Sequence, residues 1–148
     1  MDKTYTQAEL RSVAETLLMD APRNGSGASV VVLTGELGAG KTTQVQEIAR
    51  VLGVEATVQS PTFVVMKSYQ TKSAEFPALY HMDAYRIEEI GELAPLRFES
   101  VVATPGALVV IEWGERIKDA LPAGALHVTL TAPDSYNDDR RCITYTKN

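Results

Sequence analysis

Apolar residues first recur at helical spacing near the N-terminus, where Leu10, Val13, Ala14, Leu17 and Leu18 share one face. Thr6, with Glu9 three positions on, is a start signal for that helix, and Ala21-Pro22 stops it. The loop Asn24-Gly25-Ser26-Gly27 then feeds a continuous apolar strand from Ser29 to Thr34. After a glycine-rich turn, Thr42 to Leu52 places Val45, Ile48, Ala49 and Leu52 on one face, and Gly53 ends the helix. In the middle of the chain, β-branched and aromatic residues predict strands over Phe63 to Tyr69 and Ala78 to Met82. The polar connection Gln70 to Pro77 makes these an antiparallel pair. Ile87 to Leu93 reads as a short helix, and Leu108 to Glu112 as a strand buried on both faces. Leu126 to Thr131 and Cys142 to Tyr145 are two further strands around a polar turn at Pro133 to Asp139. Helices and strands mixed in this way predict an α/β fold, a largely parallel sheet with an antiparallel portion, covered by helices.

Composition narrows the function classes. A chain of 148 residues fits one domain, taken as 1-148, and 45% hydrophobic with 22% charged residues is the make-up of a globular protein. The longest apolar runs are strand-sized, far below the ~20 residues that span a bilayer, so no membrane association is expected. The N-terminal MDKTYTQAEL lacks the ordered regions of a secretion signal, which makes a cytoplasmic location the expectation. The lone Cys142 has no internal disulfide partner and is read as a packing residue. A net charge of −5 and a pI near 5.0 oppose sustained contact with a polyanion, so any RNA role should be indirect.

The candidate chemistry begins at Gly35-Glu36-Leu37-Gly38-Ala39-Gly40-Lys41-Thr42, which fits the phosphate-loop pattern G-x-x-x-x-G-K-[ST] at every fixed position. Glycines let the backbone close into a nest of N–H groups, and the following helix turns its positive end toward the anion. Lys41 would bridge the β- and γ-phosphates of ATP, and the Thr42 hydroxyl would hold Mg²⁺. The fold class then sharpens to a P-loop NTPase-like three-layer sandwich. Such a site also needs an acid at the end of a buried strand. Glu112 closes the run LVVIE and Asp83 closes LYHMD; the cleaner run makes Glu112 the metal choice and leaves Asp83 to orient water. Ser60-Pro61-Thr62-Phe63 is either a helix-to-strand turn or a segment that senses the γ-phosphate. His81, Asp83 and Tyr85 alternate on one strand face with Arg86 beside them, a polar cluster expected to form part of a site. Trp113, the single tryptophan, is core, adenine contact or partner anchor.

Taken in order and spacing, GELGAGKTT, SPTF, HMDAYR and IEWGE closely resemble the TsaE family, the bacterial ATPase of tRNA threonylcarbamoyladenosine biosynthesis. The resemblance covers residues 6 to about 131 and implies a small ATPase working with the TsaB and TsaD proteins. Those partners place threonylcarbamoyl on the adenosine beside the anticodon, so tRNA is met only through the complex. Residue by residue, it implies Lys41 and Thr42, with neighbouring Thr43, at the phosphates and Mg²⁺, Glu112 completing the metal site and Asp83 acting in hydrolysis. It also raises Ser60, Thr62, His81 and Arg86 as nucleotide-site residues, puts Trp113 near the partner-facing side, and sets Thr6 and Ala132 beside the adenine. The tail TAPDSYNDDRRCITYTKN departs from the family pattern in lacking a glycine-arginine turn. Two other classes fit a phosphate loop: a small kinase using His81 to Arg86 as acceptor site, and a nucleotide-gated scaffold.

Overall fold

The structure is a computed structural model that describes residues 1–23, 25–61, 64–133 and 138–147. Seven strands form one sheet in the order β1-β7-β6-β2-β5-β4-β3. Its centre is parallel: β2 (Ser29–Thr34) lies between β5 (Ala107–Glu112) and β6 (Leu126–Thr131), and β4 (Ala78–Asp83) follows β5. Both flanks are antiparallel, with β3 (Met66–Gln70) on β4 at one edge. At the other edge β7 (Arg141–Thr144) runs against β6 and against β1 (Asp2–Tyr5).

Strand alternation decides which side chains reach which layer. Val31, Leu33, Leu79, Leu108 and Val110 face a core closed by α1 (Leu10–Asp20) and α2 (Lys41–Val51). Val30, Val32, Val109 and Ile111 face the opposite core, which Leu93, Phe98 and Ile117 cover. The second cover consists of short pieces: a 3-10 segment Ile90–Leu96, α3 (Phe98–Val102) and a 3-10 segment Gly114–Ala120. The result is the three-layer P-loop arrangement, and every β5 residue is buried.

Three expectations move. The helical turn read at Ile87 to Leu93 lies instead at Ile90–Leu96, because the Glu92 carboxylate accepts the backbone N–H groups of Glu88 and Glu89 and fixes the start there. Pro95 within it removes a donor and keeps the turn short. The strand read from Phe63 begins only at Met66, after Val65 turns the chain at φ 68°; Phe63 itself lies outside the described residues. β4 ends at Asp83, so Tyr85 does not continue the alternation of His81 and Asp83; its N–H instead folds back onto Asp83 Oδ1 at 3.0 Å. β1 and α3 carry no period long enough to read, being four and five residues.

Packing against β2 is close where Gly114 meets Val32, since a Cβ at Gly114 would overlap Val32 Cγ1. Gly114→Ala should therefore cost about 1–3 kcal/mol. Urea melts check this: a lower midpoint at unchanged slope is expected, and an unmoved midpoint would contradict the packing described.

Candidate functional site

The site is assembled where three parallel strands end together. Leu33 of β2 and Asp83 of β4 both sit opposite Glu112 of β5. The chain leaving β2 forms the glycine-rich loop. Gly35 passes so close to the Leu130 carbonyl of β6 that a side chain would collide with it. Gly40, at φ 99°, turns the chain into α2 through a conformation that other residues seldom adopt. Lys41 therefore begins α2 buried, and its ammonium donates to the carbonyls of Gly35 and, at 3.0 Å, Glu36. The same ammonium lies 4.4 Å from the Trp113 ring centroid. Burial pulls the Lys41 pKa down, and the charges of Glu112, Glu115 and Asp83 oppose that pull.

Thr42, the next residue, donates its hydroxyl to both Glu112 carboxylate oxygens, at 2.9 and 3.2 Å. His81 Nε2 lies 2.6 Å from Glu112 Oε2, with both side chains buried. Asp83, also buried, is 3.5 Å from the Ser60 hydroxyl. The β4 and β5 ends are tied by the Ala84 N–H, which donates to the Glu112 carbonyl at 2.9 Å. Trp113 then leaves β5 in the left-handed region at φ 59°, a costly conformation for a large residue. That turn aims its ring at Lys41, and Tyr85 packs against it with centroids 5.0 Å apart.

These parts enclose a cleft of about 510 Å³. Leu37, Gly38 and Gly40 to Thr43 line it together with Ser60, Asp83, Glu112, Trp113, Tyr85 and Thr6. Gly35 and Glu36 contribute carbonyls to Lys41, and Ala39 is buried behind the loop. His81 is fully buried behind Glu112, so it touches the carboxylate rather than the cleft. Arg86 is exposed and outside the cleft lining. Ala132 lines an adjoining hollow with Thr4 and Arg141, and Thr62 lies outside the described residues.

The reading of motifs missed Tyr5, Gln7, Leu10, Asp139 and Arg141, which complete the lining. No local pattern marks them: Tyr5 and Arg141 come together only through pairing of β1 with β7, and Gln7 and Leu10 follow β1 in the chain. Tyr85 was legible in HMDAYR but assigned to the strand face rather than to Trp113.

Chemically, a glycine-rich loop at the start of a helix with a buried lysine is an arrangement suited to an anion of the phosphate kind. Thr42 and Glu112 present only oxygen donors, already within hydrogen-bond reach of one another. That set fits a hard divalent cation of the Mg²⁺ type, which takes few protein ligands.

Comparison with known proteins agrees with this geometry. Residues 4–142 match the family described as threonylcarbamoyl adenosine biosynthesis protein TsaE. A tRNA threonylcarbamoyladenosine biosynthesis protein TsaE from Rickettsia conorii is 35% identical, the alignment covering 100% of this chain and 79% of the relative. The chain belongs to the TsaE family. The TsaE protein of Bacillus subtilis is 38% identical over 79% of this chain and 68% of its own. The crystal structure of Bacillus subtilis YdiB superposes with a TM-score of 0.72 at 27% identity, covering 99% of this chain and 84% of that one. The TsaE family is thus the frame for the site, a family of tRNA threonylcarbamoyladenosine biosynthesis on a P-loop fold. Among the described residues no helix is long and apolar enough to cross a membrane.

The bond from Thr42 to Glu112 can be weighed without any ligand. Thr42→Val should destabilise the free protein by roughly 1–2 kcal/mol, since a carboxylate buried among apolar strands loses a donor. Urea titration of the two proteins checks it, and equal midpoints would mean that the bond contributes nothing.

Proposed function

We propose that this TsaE protein binds ATP with Mg²⁺ and hydrolyses it as the energising subunit beside TsaB and TsaD. In that complex threonylcarbamoyl is placed on the adenosine next to the tRNA anticodon. The observation that carries the reading is the convergence of Lys41, Thr42, Asp83 and Glu112 on one cleft at the start of α2. A volume of about 510 Å³ suits a nucleotide-sized ligand.

In this reading the loop N–H groups cradle the phosphates and Lys41 exchanges its two loop carbonyls for phosphate oxygens. The Thr42 hydroxyl and the Glu112 carboxylate would hold Mg²⁺, which would supply neutralising charge to the phosphates. Asp83, lining the cleft beside Ser60, accepts a hydrogen bond from the attacking water and aligns it. The water oxygen bonds to the γ-phosphorus, the bond to the bridging oxygen breaks, and the water proton leaves on the released phosphate. The net charge of −5 suits a subunit that energises a complex without itself gripping tRNA.

Replacing the lysine tests the nucleotide site most simply. Lys41→Ala should weaken ATP binding more than tenfold, about 1.4 kcal/mol, by calorimetry. Affinity within about threefold of the parent, ~0.7 kcal/mol, would contradict the assignment.

Phosphate release in single turnover tests the function itself. The chain alone should be slow and the TsaB–TsaD complex should accelerate it, because phosphoryl transfer is limited by positioning and charge that docking can supply. Asp83→Asn should slow release at least tenfold in both settings while keeping ATP affinity within about threefold. Stimulation by a small metabolite rather than by the proteins would favour a kinase, and no stimulation by either would favour a scaffold.

A further inference from the structure

His81 is fully buried and does not line the cleft, yet its ring touches the carboxylate of Glu112, which does. Its place follows from register: on parallel β4 and β5, His81 pairs with Val110 and Asp83 with Glu112, so His81 sits diagonally one pleat behind Glu112 on the same face. Strand-end acids of phosphate loops are commonly aspartates, and Glu112 has one more side-chain torsion than an aspartate. Without a restraint its carboxylate could swing away from Thr42. Two donors remove that freedom. Thr42 reaches both oxygens from the α2 side, and His81 Nε2 reaches Oε2 from behind at 2.6 Å. The other ring nitrogen, Nδ1, is buried without a protein partner. The contact with Glu112 is therefore the polar interaction that the described structure gives this ring. A fully buried imidazole here is poorly explained by packing alone, because an apolar residue would fill the same space without desolvating two nitrogens.

We propose that His81 is a positioning residue: its Nε2–H holds Oε2 of Glu112, so that the carboxylate faces Thr42 in the geometry that accepts the cation. The role rests on the reading of Glu112 as the metal-side acid. Partners of this kind behind a metal ligand typically change metal affinity by about 10–100-fold when removed. His81 then acts on Mg²⁺ and leaves the phosphate nest alone.

The test is calorimetric binding of a non-hydrolysable ATP analogue, with and without Mg²⁺, to the parent and variants. His81→Leu should lose at least tenfold of the Mg²⁺-dependent gain, while Mg²⁺-free affinity stays within about threefold. His81→Gln, which returns a donor near the Nε2 position, should regain most of the gain. An undiminished gain in His81→Leu, an equal fall in Mg²⁺-free affinity, or a glutamine variant no better than leucine would overturn the proposal. Glu112→Gln separates the two layers of inference. Loss of the gain there with an unaffected His81→Leu overturns the role of His81 alone, and a full gain in Glu112→Gln overturns the metal-side reading with it. Should His81→Leu fail to fold, nitrogen-proton NMR of the parent decides. The chain has two histidines, and His127 is exposed and identifiable by substitution. A hydrogen-bonded proton on Nε2 of His81 is expected, and an Nε2 without a proton overturns the proposal.

Discussion

Parallel pairing of β2, β5 and β4 is the constraint from which the site follows. Parallel strands deliver their carboxyl ends to one edge, and in this register Leu33, Glu112 and Asp83 arrive there level. The loop leaving β2 is thereby placed beside both acids, although Thr42 and Glu112 are 70 residues apart in sequence. A slip of one residue between β4 and β5 would turn His81 and Asp83 to the other core and leave Glu112 without its rear support. The apolar packing of β5 on both faces is what makes such a slip costly, so the stability of the core and the geometry of the site are one property.

The charged groups are held ready rather than dispersed. Lys41 is buried at the start of α2, its ammonium occupied by loop carbonyls and fronted by the Trp113 ring. An ammonium that is desolvated but bonded only to neutral carbonyls gains when an anion takes their place. The strained turn at Trp113 fits the same picture, since a left-handed tryptophan persists only where its surroundings fix it. Here the fixing contacts are Lys41 and Tyr85, both of which line the cleft. Glu112 is restrained from two sides and Asp83 lies beside the exposed Ser60. One acid is thus held by Thr42 and His81, and the other lies within reach of the Ser60 hydroxyl.

Much of this was legible in the residues because the signals are local. The loop Gly35 to Thr42, the apolar strands over Ser29 to Thr34 and Leu108 to Glu112, and the acids closing LYHMD and LVVIE each carry their own pattern. What escaped depends on long-range pairing or on very short elements. β1 joins the sheet only through β7, so Tyr5 and Arg141 enter the cleft with no motif to announce them. His81 read as part of a polar face, but whether an alternating side chain meets solvent or a helix is decided by the covering layer. Here His81 shares the face of Leu79, on the side closed by α1 and α2, and is fully buried. Arg86 reads as adjacent to Asp83, yet β4 has ended by then and the turn carries it outward.

The proposed cation seat lies between the Thr42 hydroxyl and the Glu112 carboxylate. A crystal structure with a non-hydrolysable ATP analogue and Mn²⁺ in place of Mg²⁺ measures its position directly by anomalous scattering. The predicted result is a peak roughly 2 Å from Thr42 Oγ1 on the Glu112 side, with the Lys41 ammonium moved from the loop carbonyls to phosphate oxygens. A peak held by Asp83 alone, or nucleotide phosphates bound away from Lys41, would contradict it.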